Sequence, residues 1–107
     1  MPYQTISDIY ANKITVVSNP QVTLTLTADD WELYSDYDDT GRYAARENVA
    51  VALNERIANA INTSQNRGEA YRRCVSILER YSDMGAADTE GRYVLGTILK
   101  LAHGMSD

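Results

Sequence analysis

Apolar side chains recur at every fourth position within residues 40–62, and no other feature of the chain restricts its fold as strongly. On an α-helix this spacing forms one apolar stripe along a single face. The stripe consists of Ala45, Val49, Leu53, Ile57 and Ile61. A helix with such a stripe must bury it against other elements, so the rest of the chain has to provide a packing surface.

Segment 13–27, KITVVSNPQVTLTLT, predicts a β-hairpin. Val22, Leu24 and Leu26 alternate with threonines, as in a half-buried strand, and Asn-Pro marks the turn before them. Next, Thr27 and Asp30 have the spacing of a capping box, which predicts a short helix holding Trp31 and Leu33. Two further helices are predicted near 69–82 and 89–102.

This order of elements predicts one α+β domain over residues 1–107, with a hairpin region at 1–27 and a helical region at 28–107. The expected architecture is an N-terminal antiparallel β-hairpin, a small sheet, packed against three to four α-helices. The last helix is apolar around most of its circumference, so it must be central or must meet another chain. A homodimer is therefore a further expectation.

Charge and composition restrict the classes of partner and the cellular location expected for this chain. A net charge of -5 disfavours direct binding to nucleic-acid backbones, which requires clustered cations. No apolar run is long enough for a membrane helix, and no signal peptide is evident at the N-terminus. The single cysteine excludes an internal disulfide, which favours a reducing, cytoplasmic location. The eight tyrosines and the predominance of arginine over lysine are typical of protein interfaces.

One phrase occurs twice, as YSDYDDTGRY at 34–43 and as YSDMGAADTEGRY at 81–93. Asp-Thr suits the residue before a helix, because its side-chain oxygens accept hydrogen bonds from the free N–H groups of the first turn. Both copies are therefore predicted to be helix entrances. An alternative is that the two helix starts hold a phosphate or nucleotide ligand. The residues that would do so are Arg42, Tyr43, Arg92 and Tyr93.

A second alternative is a calcium site, because residues 36–47 resemble an EF-hand loop over this stretch alone. Calcium prefers oxygen ligands at the spacing found here, with a glycine at the sharp turn. The candidate ligands are Asp36, Asp38, Thr40, Arg42 through its carbonyl, and Glu47. Ala44 departs from the pattern, since it stands where an oxygen ligand is usual. No other cofactor is expected.

Segment 29–39, DDWELYSDYDD, combines six acidic side chains with three aromatic ones. Carboxylates beside aromatic anchors favour a surface that binds a partner, whereas a plain solvated face is the alternative. The candidate partner-binding residues are Asp29, Asp30, Trp31, Glu32, Tyr34, Asp36, Tyr37, Asp38 and Asp39.

The lone Cys74 and the lone His103 lie on mainly apolar helical faces, and no arrangement of residues indicates catalysis. The sequence therefore predicts a small acidic non-enzymatic protein that binds a protein or a protein–nucleic acid complex, and that inhibits it. In size and character it resembles phage-encoded inhibitors of bacterial defence systems, including anti-CRISPR proteins. This resemblance implies a location in the host cytoplasm. It is a resemblance of size and character alone, since no motif identifies such a family.

Overall fold

The computed structural model describes residue 10 and residues 12–18, 20–36 and 42–103. In chain order, the strands and helices of this part of the chain are β1 (Ile14–Ser18), β2 (Gln21–Leu24), α1 (Arg46–Asn62), α2 (Arg67–Arg80), a 3-10 helix (Ser82–Met84) and α3 (Thr89–His103). The strands form a two-stranded antiparallel sheet that packs against the helices. The predicted α+β class, with an N-terminal hairpin and three α-helices, is confirmed.

The hairpin shows the predicted alternation. Ile14 pairs with Leu24, and both side chains point into the core, whereas Thr15 and Thr23 pair on the outer face. The outer edge of β2 is closed by the side chain of Asn62 at the end of α1. Its Oδ1 accepts the Val22 N–H at 2.7 Å, and its Nδ2 donates to the Val22 carbonyl at 3.0 Å. A side-chain amide thus replaces the next strand and joins the sheet to α1.

Helix α1 begins at Arg46, six residues after the predicted start at residue 40. The described residues before it are extended: Tyr43 forms an isolated β-bridge, and the Ala44 N–H donates to the Asp36 carbonyl at 2.8 Å. Ala45, which precedes the helix, has φ -59° and ψ 140° and offers no capping side chain. The contact with Asp36 therefore holds this stretch outside the helix. The predicted apolar stripe is buried from Val49 onward.

Helix α2 begins after Asn66, whose side chain accepts the Glu69 N–H at 2.8 Å. Its buried face contains Ala70, Cys74 and Leu78. Tyr71, the next residue after Ala70, is half exposed. Adjacent residues on a helix point about 100° apart, so Tyr71 turns away once Ala70 faces the core.

Helix α3 is buried along most of its length. Its buried residues are Gly91, Val94, Leu95, Thr97, Ile98, Leu99 and Ala102. Most of its apolar side chains are therefore covered within one chain, although Tyr93 is exposed. The homodimer stays a prediction. No helix of the described residues is both long enough and apolar enough to span a bilayer.

Candidate functional site

Segment 29–39, with its six acidic residues, starts with a single turn and not with the short helix that was predicted. The capping box itself is formed, because the Thr27 hydroxyl accepts the Asp30 N–H at 3.2 Å and Asp30 accepts the Thr27 N–H at 2.8 Å. The turn then ends at Glu32, which adopts a left-handed conformation with φ 57°. The Leu33 N–H bonds back to the Ala28 carbonyl at 2.9 Å, as in a Schellman motif. One turn is thus closed at both ends.

This turn directs Trp31 into the protein interior. The Trp31 side chain is fully buried, and its Nε1 donates to Asn54 Oδ1 at 2.8 Å. The Asn54 amide in turn donates to the Leu26 carbonyl at 2.8 Å, which links the turn, α1 and the chain after β2. Trp31 was predicted to be a partner-binding anchor, but its side chain is fully buried here and cannot contact a partner in this conformation. A buried indole needs a partner for its N–H, and Asn54 provides it.

The carboxylates of the segment divide into paired and exposed ones. Asp30 pairs with Lys13 at 2.7 Å and is largely buried, whereas Asp29 pairs with Arg46 at 2.7 Å on the surface. Glu32, Tyr34 and Asp36 are exposed and remain candidates for partner binding. The other three predicted residues, Tyr37, Asp38 and Asp39, lie outside the described residues.

Asp30 should make stability depend on pH at the acid end. Burial alone would raise the pKa of its carboxyl, but hydrogen bonds from Lys13 and Thr27 outweigh burial and lower it from the ordinary value of 3.8. A lowered pKa contributes stability that is present above the unfolded value and is lost as pH falls through the folded value. We expect D30N to lower the free energy of unfolding at pH 7 by about 1 kcal/mol.

The same substitution should flatten the loss of stability below about pH 4. Urea unfolding at pH 7 and at several values below pH 4 measures both effects. D83N, at an exposed residue of the 3-10 helix, is the matched control and should leave both quantities nearly unchanged. Parallel acid profiles for D30N and the wild type would contradict this account of Asp30.

The exposed part of the segment packs against the second copy of the repeated phrase. The Tyr34 N–H donates to the Met84 carbonyl at 2.9 Å. Gly85, with φ 104°, lies under Tyr34, and a Cβ there would lie 2.9 Å from the Tyr34 ring and overlap the Glu32 carbonyl. Glycine is therefore required at this close approach.

An open surface cavity of about 570 Å³ lies where the two segments meet. Its charged lining comprises Glu32, Asp88, Glu90 and one cation, Arg92. We use the name acidic face for the surface formed by Glu32, Tyr34, Asp36, Asp88 and Glu90. Asp88 and Glu90 were not among the predicted partner-binding residues, because their approach to Glu32 depends on tertiary packing. Their presence in the repeated phrase was the available signal.

Buried Tyr10 reports the electrostatic character of this region. Its hydroxyl donates to Glu90 Oε1 at 3.4 Å. Burial, followed by the negative charges of Glu90, Asp30 and Glu32, raises the pKa of Tyr10 from 10.0 to about 12. Carboxylates from distant parts of the sequence therefore lie near Tyr10, together with the Lys13 ammonium, which lies 6.0 Å from the centre of its ring.

The helix-entrance interpretation of the repeat holds for one copy only. Asp88 directly precedes α3, and its carbonyl accepts the Arg92 N–H at 3.1 Å. In the first copy, Arg42 and Tyr43 lie outside any helix, so the prediction was wrong there. The phosphate alternative therefore loses one of its two helix starts. At the other, Tyr93 is exposed, but Arg92 donates to the Ala87 carbonyl at 3.1 Å beside carboxylates that would repel an anion.

The calcium alternative loses part of its structural frame. An EF-hand has a helix on each side of the loop, but residues 28–36 form one turn and an irregular stretch. The Glu47 carboxylate accepts the Ala28 N–H at 3.4 Å. Asp38 and Thr40 lie outside the described residues, and in the described part of the chain no three His, Cys, Asp or Glu side chains are grouped to hold a metal ion. A complete calcium loop stays a prediction.

Cys74 is unsuited to nucleophilic chemistry. It is fully buried in α2, and burial raises the pKa of its thiol to about 12, against the opposing charge of Arg73.

Comparison with protein-family models, curated proteins and solved structures finds no match to this chain. The functional interpretation therefore depends on the chain's own residues, and the acidic face is their clearest grouping.

Proposed function

We propose that this protein acts by binding a basic surface on another protein or protein–nucleic acid complex, and that it inhibits that partner. The observation that carries the proposal is the acidic face, where Glu32 lines one cavity with Asp88 and Glu90. Exposed Tyr34 and Asp36 follow Glu32 closely in the chain. Complementary charge accelerates encounter and selects the partner. A partly exposed aromatic ring beside such charges is typical of interface hot spots.

Two structural features support a surface that keeps its shape before binding. Tyr34 is 67% exposed, yet its backbone is fixed by the hydrogen bond to Met84 and its ring contacts Gly85. The turn before it is anchored in the core through Trp31. A surface that is already ordered loses less conformational entropy on binding. We place this activity in the cytoplasm, in the host cell if the protein is viral, with no membrane component.

A charge-reversal experiment tests the proposal. The double variant E32K/D36K should fold normally and should capture at least about tenfold less partner from host extract, which corresponds to about 1.4 kcal/mol. The matched control, E55K/E79K, makes the same change in net charge at exposed residues of α1 and α2. Quantitative mass spectrometry of the captured proteins compares both variants with the wild type.

The salt dependence gives a second measurement. Because exposed charges are screened over about 8 Å at 0.15 M salt and about 3 Å at 1 M, capture by the wild type should fall as salt rises. Equal capture by both double variants would contradict the proposal, as would wild-type capture that is insensitive to salt. The protein that the wild type captures and E32K/D36K does not capture should be the same in replicate extracts.

A further inference from the structure

Side chains of α1 bond to the outer edge of β2 at regular intervals. Asn62 bonds to the Val22 backbone through both atoms of its amide, and Asn54 donates to the Leu26 carbonyl just after the strand. The two asparagines are eight residues apart, and the backbone residues that they contact are four apart. These spans agree, because eight residues of helix rise about 12 Å and four residues of extended chain rise about 13 Å.

The position halfway between these two contacts has no amide side chain. There α1 presents Ala58, and β2 presents Leu24. In an antiparallel pair, successive residues direct their backbone groups alternately toward the partner strand and away from it. Thr25 donates to the Lys13 carbonyl across the hairpin at 2.8 Å, so the N–H and C=O of Leu24 point the other way, toward α1. The Ala58 methyl group cannot bond to them, and no other side chain among the described residues does so.

A cavity of about 290 Å³ lies at this position. Leu24 and Ala58 both line it, with Asn54 and Asn62 on either side. Among the described residues, the charged part of its lining is Glu55 alone, which is exposed. The volume is just below the usual range of about 300–1,000 Å³ for small-molecule sites, so the cavity suits a small ligand. Its lining therefore offers one backbone donor and one backbone acceptor between two asparagines.

We propose that this cavity binds a primary carboxamide, presented either by a small molecule or by a glutamine or asparagine side chain. A carboxamide has an N–H donor beside a C=O acceptor, and through this pair Asn62 bonds to the Val22 backbone at 2.7 and 3.0 Å. The backbone of Leu24 offers the same pair two residues further on. A carboxylate has no donor for the Leu24 carbonyl, and Glu55 would repel it. This proposal is independent of the acidic face.

Nuclear magnetic resonance titration of the full chain with propionamide tests the proposal. Because the ligand must displace water from the same two groups, we expect the Leu24 amide resonance to shift and to saturate at millimolar ligand. N,N-dimethylpropionamide and propionate lack the N–H donor, so each should bind at least about tenfold more weakly. A58N puts a carboxamide in the cavity and should abolish the shift. V51N introduces asparagine at an exposed position of the same helix and should leave the shift unchanged.

Amide hydrogen exchange tests the structural basis without a ligand. The Leu24 N–H should exchange at least about tenfold faster than the Val22 N–H, which Asn62 protects. A58N should slow exchange at Leu24 by a similar factor. A58V fills the cavity with an apolar group, so it should abolish the propionamide shift without slowing this exchange.

The peptide Gly-Gln-Gly distinguishes the source of the carboxamide. Tighter binding of this peptide than of propionamide would identify a peptide side chain, and equal binding would show that the carboxamide alone is recognised. No shift at Leu24 up to about 100 mM propionamide would overturn the proposal. Equal binding of N,N-dimethylpropionamide would also overturn it, as would an undiminished shift in A58N, or exchange at Leu24 as slow as at Val22.

Discussion

Replacing Trp31 with alanine should lower the free energy of unfolding by about 3–5 kcal/mol. The indole is fully buried, so its removal leaves a cavity between the 27–32 turn and α1. It also leaves the Asn54 carbonyl oxygen without the indole N–H, in a place where water does not reach it. Small domains have about 5–15 kcal/mol of stability in total, so this one substitution should remove a large share.

Urea unfolding followed by circular dichroism measures this loss. W31F is the matched variant, because it keeps an aromatic ring in the core while it removes the indole N–H and part of the side-chain volume, so it should cost about 1–3 kcal/mol. Reduced partner capture by W31A would then reflect unfolding and not the loss of an interface contact. A loss below about 1 kcal/mol in W31A, within the range of surface substitutions, would show that Trp31 is not part of the core.

The second large effect concerns two glycines of the same helix. Gly91 and Gly96 both lie in α3, and alanine normally stabilises a helix by about 1 kcal/mol relative to glycine. A Cβ at Gly91 would overlap the carbonyl of Ala86, whereas a Cβ at Gly96 would meet no atom within 4 Å. We expect G91A to lower the free energy of unfolding by about 3 kcal/mol, because the overlap is with backbone that cannot turn away.

G96A is the control within the same helix, and it should raise the free energy of unfolding by about 1 kcal/mol. Thermal unfolding of the two variants measures effects of opposite sign. Stabilisation of both would show that the Ala86 carbonyl does not approach α3. This pair also tests the second copy of the repeated phrase, since Gly91 is its Gly-Arg-Tyr glycine.

The elements with strong local patterns could be predicted from the sequence. The hairpin followed from the alternation around Val22 and Leu24, and α3 followed from its apolar positions after Asp88 and Thr89. The start of α1 could not be predicted from the sequence. Residues 42–45 lie outside the helix, and the Ala44 N–H donates to the carbonyl of Asp36, which precedes them in the chain. No property of those residues themselves opposes a helix, apart from a weak cap at Ala45.

The candidate site was predicted only in part, because burial in segment 29–36 depends on partners far along the chain. Trp31 is flanked by carboxylates in the sequence, yet its indole N–H is buried because it donates a hydrogen bond to Asn54. Asp88 and Glu90 reach the acidic face only because the 3-10 helix packs beside Tyr34.

Segment 29–36 thus has two roles: Trp31 anchors it, and Glu32, Tyr34 and Asp36 face outward. Fluorescence of the single tryptophan tests this division most directly, because excitation at the red edge of its absorption selects it over the eight tyrosines. We predict blue-shifted emission and weak quenching by acrylamide in the native protein, and the same values in E32K/D36K. Red-shifted emission that acrylamide quenches as strongly as in the unfolded chain would contradict the account.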